Sequence, residues 1–197
     1  MPASQASFVR EVPRVNAPFD KSIARHTHQT HCINGWRACG LNDAQRLPLA
    51  LLVNILGGPS ANSHLNVTVR EKYGLSYNIE ANYTPYVDCG IVAIYFSSDH
   101  ANADRCNQLV EAEIERLRSV PLTARHLSMA KKQFIAQLAI SMVSNEGYML
   151  GAGKSFLVHD MVDTMEEVYR KVEAVTAEEL MHTAAEMFSD KSRLIYR

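Results

Sequence analysis

The sequence predicts an α+β domain in which helices pack against one face of a mainly antiparallel sheet. Residues 75–85 and 88–98 are rich in Tyr, Ile and Val and are separated by a short turn, which indicates an antiparallel hairpin. Helical periodicity dominates the second half of the chain, and residues 192–197 return to a strand pattern. The resulting order of strand, helix, helix, hairpin, several helices and a final strand is typical of this class.

The composition fits one large domain or two small ones and argues against two kinds of partner. Of the 197 residues, 47% are apolar, which is enough for a sizeable core. The 20 Lys and Arg are balanced by 21 Asp and Glu, so there is no basic excess of the kind that nucleic-acid binding requires. No apolar run approaches the roughly 18–20 residues that span a bilayer. We therefore expect neither nucleic acid nor a membrane as a partner.

Residues 1–20 contain three prolines and no apolar periodicity. This pattern predicts an inter-domain linker that leads into a domain at residues 21–197. The stretch also lacks the charged-then-apolar pattern and the small-residue cleavage site of a secretory signal.

The first predicted strand covers residues 26–38, where polar and apolar residues partly alternate. The helix after it ends at Gly57, and its residues 47–56 are apolar on nearly every side, which predicts that it is buried. Pro48 leaves two alternatives open. Either the helix starts near Pro48, or residues 43–47 form a separate turn.

A short helix that Ser63 can cap is predicted to end near Gly74, directly before the hairpin. The two-residue period of a strand places four apolar or aromatic residues on one face of the hairpin. These are Tyr77, Ile79, Ala81 and Tyr83.

Helices account for most of the second half. A spacing of three to four residues between apolar positions predicts helices over residues 103–119 and from Thr123 to Met142. Residues 145–159 form a further predicted helix with a glycine-rich start. Thr176 and Glu179 make a capping box that opens a helix running to Phe188.

The glycine-rich residues 147–155 resemble a phosphate-binding loop without matching one. In a P-loop, a Gly stands five residues before the Gly-Lys-Ser, and here that position is Tyr148. The run also lies between helical segments rather than after a strand. A helix break with close helix packing is the favoured interpretation.

The spacing of the histidines and carboxylates does not predict a metal centre within this chain. His26, His28 and His31 lie in the first predicted strand, and only His26 and His28 share a face. Zinc needs three or four convergent ligands, so solvated or hydrogen-bonded histidines are the favoured interpretation. Neither H-E-x-x-H nor H-x-x-E-H occurs in the sequence. The acidic residues 111, 113 and 115 are interpreted as a solvated helix face.

The four cysteines are widely spaced, and no pair has the C-x-x-C spacing of a zinc knuckle or redox dithiol. We interpret Cys32, Cys39, Cys89 and Cys106 as reduced core thiols. Free thiols favour the cytoplasm, with the periplasm as the alternative.

Two stretches carry a family resemblance. The first is Leu56-Gly-Gly-Pro-Ser60-Ala-Asn-Ser63, and the second, residues 69–77, reads Val-Arg-Glu-Lys-Tyr-Gly-Leu-Ser-Tyr. Together with the following hairpin and its Asp88-Cys-Gly90 turn, they resemble the second homologous domain of pitrilysin/insulinase-type zinc metallopeptidases, the family of the mitochondrial processing peptidases. The specific motifs span residues 51–98, and the element order matches over residues 21–197.

The resemblance implies a function. In that family two similar α+β halves close around a peptide, and the first half carries zinc on H-x-x-E-H. The corresponding helix here, residues 44–56, contains no His and no Glu. The chain is therefore identified as the C-terminal, zinc-free half, inactive by itself. Zinc is expected in an N-terminal half of the same polypeptide or in a separate zinc subunit.

Arg70 and Tyr77 match the Arg and Tyr that the family places seven residues apart in this half. The resemblance implies that they contact the peptide and its transition state near the zinc. Without the resemblance, Arg70 is a surface cation and Tyr77 a sheet residue packed on the helices. The family also adds a peptide strand to a sheet edge, although the sequence does not show which strand is the edge.

Two competing functions stay open. A family member whose halves have both lost zinc would be a non-catalytic scaffold, as in the core proteins of respiratory complexes. Alternatively, this chain is a partner subunit that supplies Arg70 and Tyr77 in trans to a separate zinc subunit. A dimer is compatible with either.

Overall fold

A five-stranded sheet organises residues 17–197, the part of the chain that the computed structural model describes. The spatial order is β1-β5-β2-β4-β3, and every neighbouring pair is antiparallel except β1 and β5, which are parallel. The strands are β1 Asp20–Ile23, β2 Thr30–Ala38, β3 Asn78–Pro85, β4 Gly90–Ser98 and β5 Ser192–Tyr196. The mainly antiparallel sheet is as predicted.

Six α-helices and one π-helical segment connect these strands. They are α1 Arg46–Gly57, the π-helical segment Asn66–Lys72, α2 Ala103–Ser119, α3 Ala124–Ser141, α4 Asn145–His159, α5 Met165–Ala174 and α6 Ala177–Met187. Helices α1, α2 and α6 supply most of the helical part of the core. The predicted α+β fold class is confirmed.

The strands alternate between a covered and an open face. In β2, Cys32, Asn34 and Trp36 are buried, whereas Ile33 and Arg37, at alternate positions, are exposed. The covered face packs against α1, which is buried over most of its length, with Leu49, Leu52 and Leu56 fully enclosed. Burying one side of a sheet with a layer of helices leaves the other side available to something outside this chain.

The N-terminal part of the sheet differs from the prediction. The strand predicted over residues 26–38 begins only at Thr30, and a separate strand β1 precedes it. Asp-Lys-Ser in β1 carries no apolar alternation, so its strand character comes from pairing with β5 and from the ion pair between Asp20 and Arg193. Residues 1–16 of the predicted linker lie outside the described residues, and residue 20 already belongs to β1.

Helix α1 resolves the two alternatives for Pro48. A turn ends at Gln45, α1 begins at Arg46, and Pro48 stands in the first turn, where a missing N–H costs no hydrogen bond. The first intrahelical bond runs from the Leu49 N–H to the Gln45 carbonyl, at 2.9 Å. The helix ends at Gly57, as predicted.

Helix α5 was not predicted, although the sequence contains a helix-start motif for it. Thr164 and Glu167 form a second capping box, with the Glu167 N–H donating to the Thr164 hydroxyl and the Glu167 carboxylate accepting from the Thr164 N–H. This is the pattern that correctly announced α6 at Thr176. The glycine run is a further difference, because it lies inside the unbroken helix α4.

All four cysteines are free, and three of them, Cys32, Cys39 and Cys106, are buried, while Cys89 is half-buried. Burial raises the pKa of the Cys32 thiol to about 11, which keeps it protonated at neutral pH. Cys32, Cys39 and Cys106 are buried thiols, as expected, whereas Cys89 lies outside the core. None of the helices formed by residues 17–197 combines the length and apolarity needed to cross a bilayer.

Candidate functional site

The segment between α1 and β3 carries both predicted site residues, and Gly57 sets its starting point. A Cβ at Gly57 would stand 2.8 Å from the Cβ and the backbone nitrogen of Ala81 in β3. Only glycine lets the end of α1 approach the sheet so closely. The Leu-Gly-Gly motif therefore fixes where the following loop leaves the core.

The loop after α1 is anchored from beneath. The Asn66 side-chain amide donates to the Ser63 hydroxyl at 2.8 Å and lies 3.3 Å from the Ser60 carbonyl. Leu65 and Val69 are fully buried. The prediction that Ser63 caps the following helix is not met by its hydroxyl. That hydroxyl accepts a hydrogen bond from the Asn66 side chain instead.

Arg70 lies on the outer side of the π-helical segment, next to the buried Val69. A π-helix is wider than an α-helix, and such segments occur often at functional sites. Slightly more than half of the Arg70 side chain is exposed, and its nearest ion partner is the equally exposed Glu71, at 3.7 Å. A contact of this kind is weak, so the guanidinium is free to bind another anion or a carbonyl.

Gly74 and Ser76 determine where Tyr77 stands. Gly74 adopts φ +61°, and its N–H donates to the Arg70 carbonyl at 3.0 Å, which reverses the chain after the π-helical segment. The buried Ser76 hydroxyl lies 2.7 Å from the carbonyls of Ser97 and Asn78 and so ties the next residues to β4. No sequence pattern had pointed to Ser76.

Tyr77 itself is 76% exposed, and its hydroxyl makes no hydrogen bond to any described residue. It lies before β3, which begins at Asn78. Although Tyr77 was predicted to share a face with Ile79 and Ala81, those two residues are buried and Tyr77 is not. The interpretation in which Tyr77 packs on the helices is wrong. Both site residues thus extend from an anchored segment into open space, and no hydrogen bond joins them to each other.

The surroundings of the two residues are mostly cationic. Lys72 and Arg105 lie 5.2 and 5.9 Å from the centre of the exposed Tyr73 ring. With Arg70, three cations therefore stand near this turn, and Glu71 is the carboxylate that contacts Arg70. Such a field favours a carbonyl oxygen that gains negative charge.

No group of three His, Cys, Asp or Glu side chains in residues 17–197 is placed to hold a metal ion. His31 bonds to the Tyr95 hydroxyl at 2.8 Å, and His26, with φ +52°, lies outside the strand. A zinc ion does not fit the side chains of this part of the chain.

A second polar cluster lies between the π-helical segment and α2. Glu113, predicted to be solvated, is largely buried and accepts from the Thr68 hydroxyl at 2.7 Å, while its other oxygen lies 3.0 Å from Arg116. His64 is 3.6 Å from the same carboxylate, and burial, reinforced by Arg116, lowers the pKa of His64. The residues border a cavity of about 370 Å³. Thr68 and Glu113 are 45 residues apart, and His64 and Arg116 are 52 apart, so spacing could not reveal that the two pairs meet.

The sequence matches the family model described as "Peptidase M16 inactive domain" over residues 2–134. A Bacillus subtilis (strain 168) protein named "Uncharacterized zinc protease YmxG" is 26% identical over 166 residues, which cover 84% of this chain and 40% of that protein. The chain thus spans about two fifths of the length of the curated relatives it matches.

Two solved structures share the fold. The crystal structure of the peptidase M16 inactive domain from Pseudomonas fluorescens superposes with a TM-score of 0.82 at 20% identity, covering 94% of this chain and 45% of that one. A chain of Complex III2 from Candida albicans superposes with a TM-score of 0.78 at 15% identity, covering 91% and 45%. At these identities the likeness is one of fold.

Proposed function

The chain belongs to the peptidase M16 family as its inactive domain, and from this premise we propose that it walls a peptide-binding chamber and presents Arg70 and Tyr77 to a zinc centre in a companion half. The resemblance to pitrilysin/insulinase-type zinc peptidases is confirmed at the level of the family. The companion is the N-terminal half of the same polypeptide or a separate zinc subunit. Without it the chain is inactive.

One observation carries the proposal: Arg70 and Tyr77 are exposed, yet the backbone that bears them is fixed. Val69 is buried directly before Arg70, and Ser76 is bonded to β4 directly before Tyr77. Exposed side chains on a rigid support are preorganised for a ligand outside the chain, because little freedom is lost when the ligand binds.

The two side chains suit the charge that develops during peptide hydrolysis. When bound in the companion, zinc activates water and polarises the scissile carbonyl. The Arg70 guanidinium would donate charge-assisted hydrogen bonds to a peptide carbonyl, and the Tyr77 hydroxyl would donate to the oxygen that becomes negative. Neither group needs to gain or lose a proton.

The peptide itself has a suitable edge to bind. Within the described sheet β3 is a terminal strand, so the outer backbone groups of Asn78–Pro85 lack a strand partner. A peptide added along β3 would use main-chain hydrogen bonds and tolerate varied sequence. Because Tyr77 directly precedes β3, such a peptide would pass beside its hydroxyl.

The test uses the full-length protein, or this chain combined with its zinc subunit, and a quenched peptide substrate. Tyr77→Phe and Arg70→Gln should each lower kcat by about 10²- to 10³-fold, the usual effect of removing one transition-state donor. Both residues are exposed, so the melting temperature should stay unchanged.

Tyr86→Phe and Arg125→Gln are the matched controls, since both side chains are exposed away from the site, and both variants should keep full activity. Equal activity of Tyr77→Phe and wild type would remove Tyr77 from the proposal. Hydrolysis by this chain alone with zinc would refute its inactivity. If the companion half lacks H-x-x-E-H and no separate zinc subunit exists, the non-catalytic scaffold becomes the favoured function.

A further inference from the structure

Helix α4 has an apolar outer face that nothing in residues 17–197 covers. No residue of Asn145–His159 is buried. The side chains of Met149, Leu150, Phe156 and Leu157 recur at helical spacing on one side, and Leu157 is 86% exposed. Large apolar side chains gathered on one helix face mark an interaction surface.

The opposite side of α4 faces the rest of the domain and is distinct from this outer face. Ser155, Val158 and His159 are half-buried and line, with Pro85, a cavity of about 480 Å³. Ser144 caps the helix by accepting from the Gly147 N–H. The outer face is therefore the side of α4 that is directed away from this cavity.

Gly153 lies in the middle of the outer face, four residues after Met149 and three before Phe156. A Cβ there would meet no atom within 4 Å, and the same is true at Gly151. The close helix packing predicted for this glycine run is therefore wrong within the described chain. Glycine inside a helix destabilises it relative to alanine, and here no contact of the chain explains the choice. A partner that approaches the helix backbone closely does explain it.

Two observations indicate which partner binds the outer face of α4: the charge of that face and the length of the related proteins. From Met149 to Leu157 the outer face carries no charged side chain, since Lys154 lines the cavity, whereas Glu146 stands on the same side one turn before Met149, at the start of the helix. Such depletion of charge is typical of the core of a permanent interface. The relatives that this chain matches are about two and a half times as long as the matched part, so a companion domain is present in them.

We propose that the outer face of α4, formed by Met149, Leu150, Gly153, Phe156 and Leu157, docks against the companion half. This inference rests on the proposed function, because it names the surface that joins the two halves. The α4 cavity reaches Pro85 at one end of β3, whereas Tyr77 precedes the other end. At about 3.3 Å per residue, the eight residues of β3 separate the two by roughly 26 Å. Docking through α4 therefore leaves Arg70 and Tyr77 uncovered.

The experiment cuts the full-length protein at a protease site inserted between the halves and measures the association of the pieces by gel filtration and fluorescence titration. A separate zinc subunit would be titrated directly. Leu157→Glu should weaken association at least about thirtyfold, as for an interface hot spot. Val120→Glu places the same charge on an exposed apolar side chain away from α4 and should leave the affinity unchanged.

The Gly153→Ala variant distinguishes a lost interface contact from a loss of folding stability. It should raise the melting temperature of this chain, because alanine favours the helix and meets no atom, and it should weaken binding of the companion. Hydrogen exchange of the α4 amides should slow when the companion is added.

Three results would overturn the proposal: unchanged affinity of Leu157→Glu, unchanged exchange of α4 on adding the companion, or a homodimer of this chain that Leu157→Glu alone abolishes. Association is measured without peptide hydrolysis. Halves that join through α4 while Arg70→Gln and Tyr77→Phe stay fully active would therefore refute the proposed function and leave this interface intact.

Discussion

At the scale of single residues, His64 shows how burial turns a side chain into a pH-dependent contribution to stability. Its imidazole sits against Arg116 and Glu113 beside a cavity, and burial, then the Arg116 charge, lowers the pKa from an ordinary value of 6.5. The unfolded chain therefore binds a proton at a higher pH than the folded chain does. The contribution of the neutral His64 imidazole to the free energy of unfolding is complete above pH 6.5. It is lost as the pH falls from there toward the lower pKa of the folded state.

We predict that His64→Asn flattens the pH dependence of unfolding. Between pH 7 and pH 5 the wild type should lose up to about 1 kcal/mol more free energy of unfolding than the variant does. Urea titrations at several pH values measure this difference. His28→Asn is the control, since His28 is exposed, and its pH profile should follow the wild type. An unchanged slope in His64→Asn would show that the imidazole is solvated.

The candidate site could be predicted at this scale only through the motif, and only in part. The motif pointed to Arg70 and Tyr77, but local periodicity placed Tyr77 on one face with Ile79 and Ala81, which are buried. The turn at Gly74 and the bonds of the Ser76 hydroxyl leave Tyr77 exposed instead, and one of those bonds reaches Ser97 in β4, 21 residues later. Contacts between distant residues leave no periodic signal.

At the scale of elements, the approach of α1 to β3 depends on one missing Cβ. Gly57→Ala would bring a methyl group to 2.8 Å from the Ala81 Cβ and backbone nitrogen, so the helix must shift from the sheet. We expect a loss of about 1–3 kcal/mol in the free energy of unfolding, typical of overpacking. Thermal and urea unfolding measure it.

Gly35→Ala is the matched control, because a Cβ at Gly35 in β2 would have its nearest neighbour 4.0 Å away. That substitution should be tolerated or slightly stabilising. If Gly57→Ala were equally harmless, the loop that leads to Arg70 would not be set by this contact.

Elements with their own local signals could be predicted, and those without could not. The capping boxes, the apolar helix α1 and the hairpin all have signatures within a few residues. Strand β1 has none, since its partner β5 lies at the far end of the sequence. Helix α4 misled the interpretation for another reason: its glycines suggest a break, but the helix runs through Gly151 and Gly153, where a Cβ would meet no atom of the described chain.

At the scale of the whole molecule, the domain is one-sided. Its helices cover one face of the sheet, while Ile33 and Ile91 are exposed on the other and the apolar face of α4 is left uncovered. A domain that stood alone would be expected to hide such surfaces. The fold class was evident from the order of elements, but which surfaces remain open follows only from how the elements assemble.

The parallel pairing of β1 with β5 has a mechanical consequence. Residue 19 directly precedes β1 and residue 197 directly follows β5, so tension between these two residues pulls the two strands past each other. Their four residue pairs then bear the load together rather than opening in succession. Tension applied across the two ends of the described domain would therefore load this shear-resistant junction first.

We predict that optical-tweezer pulling between residues 19 and 197 requires a higher rupture force than pulling between residues 38 and 90. Ala38 and Gly90 face each other at one end of the antiparallel β2–β4 pair, so force applied there peels the strands apart one bond at a time. Equal rupture forces would mean that the junction of β1 and β5 gives no such resistance. A domain whose ends are joined by two strands in shear keeps the register of the rest of its sheet while tension acts across those ends.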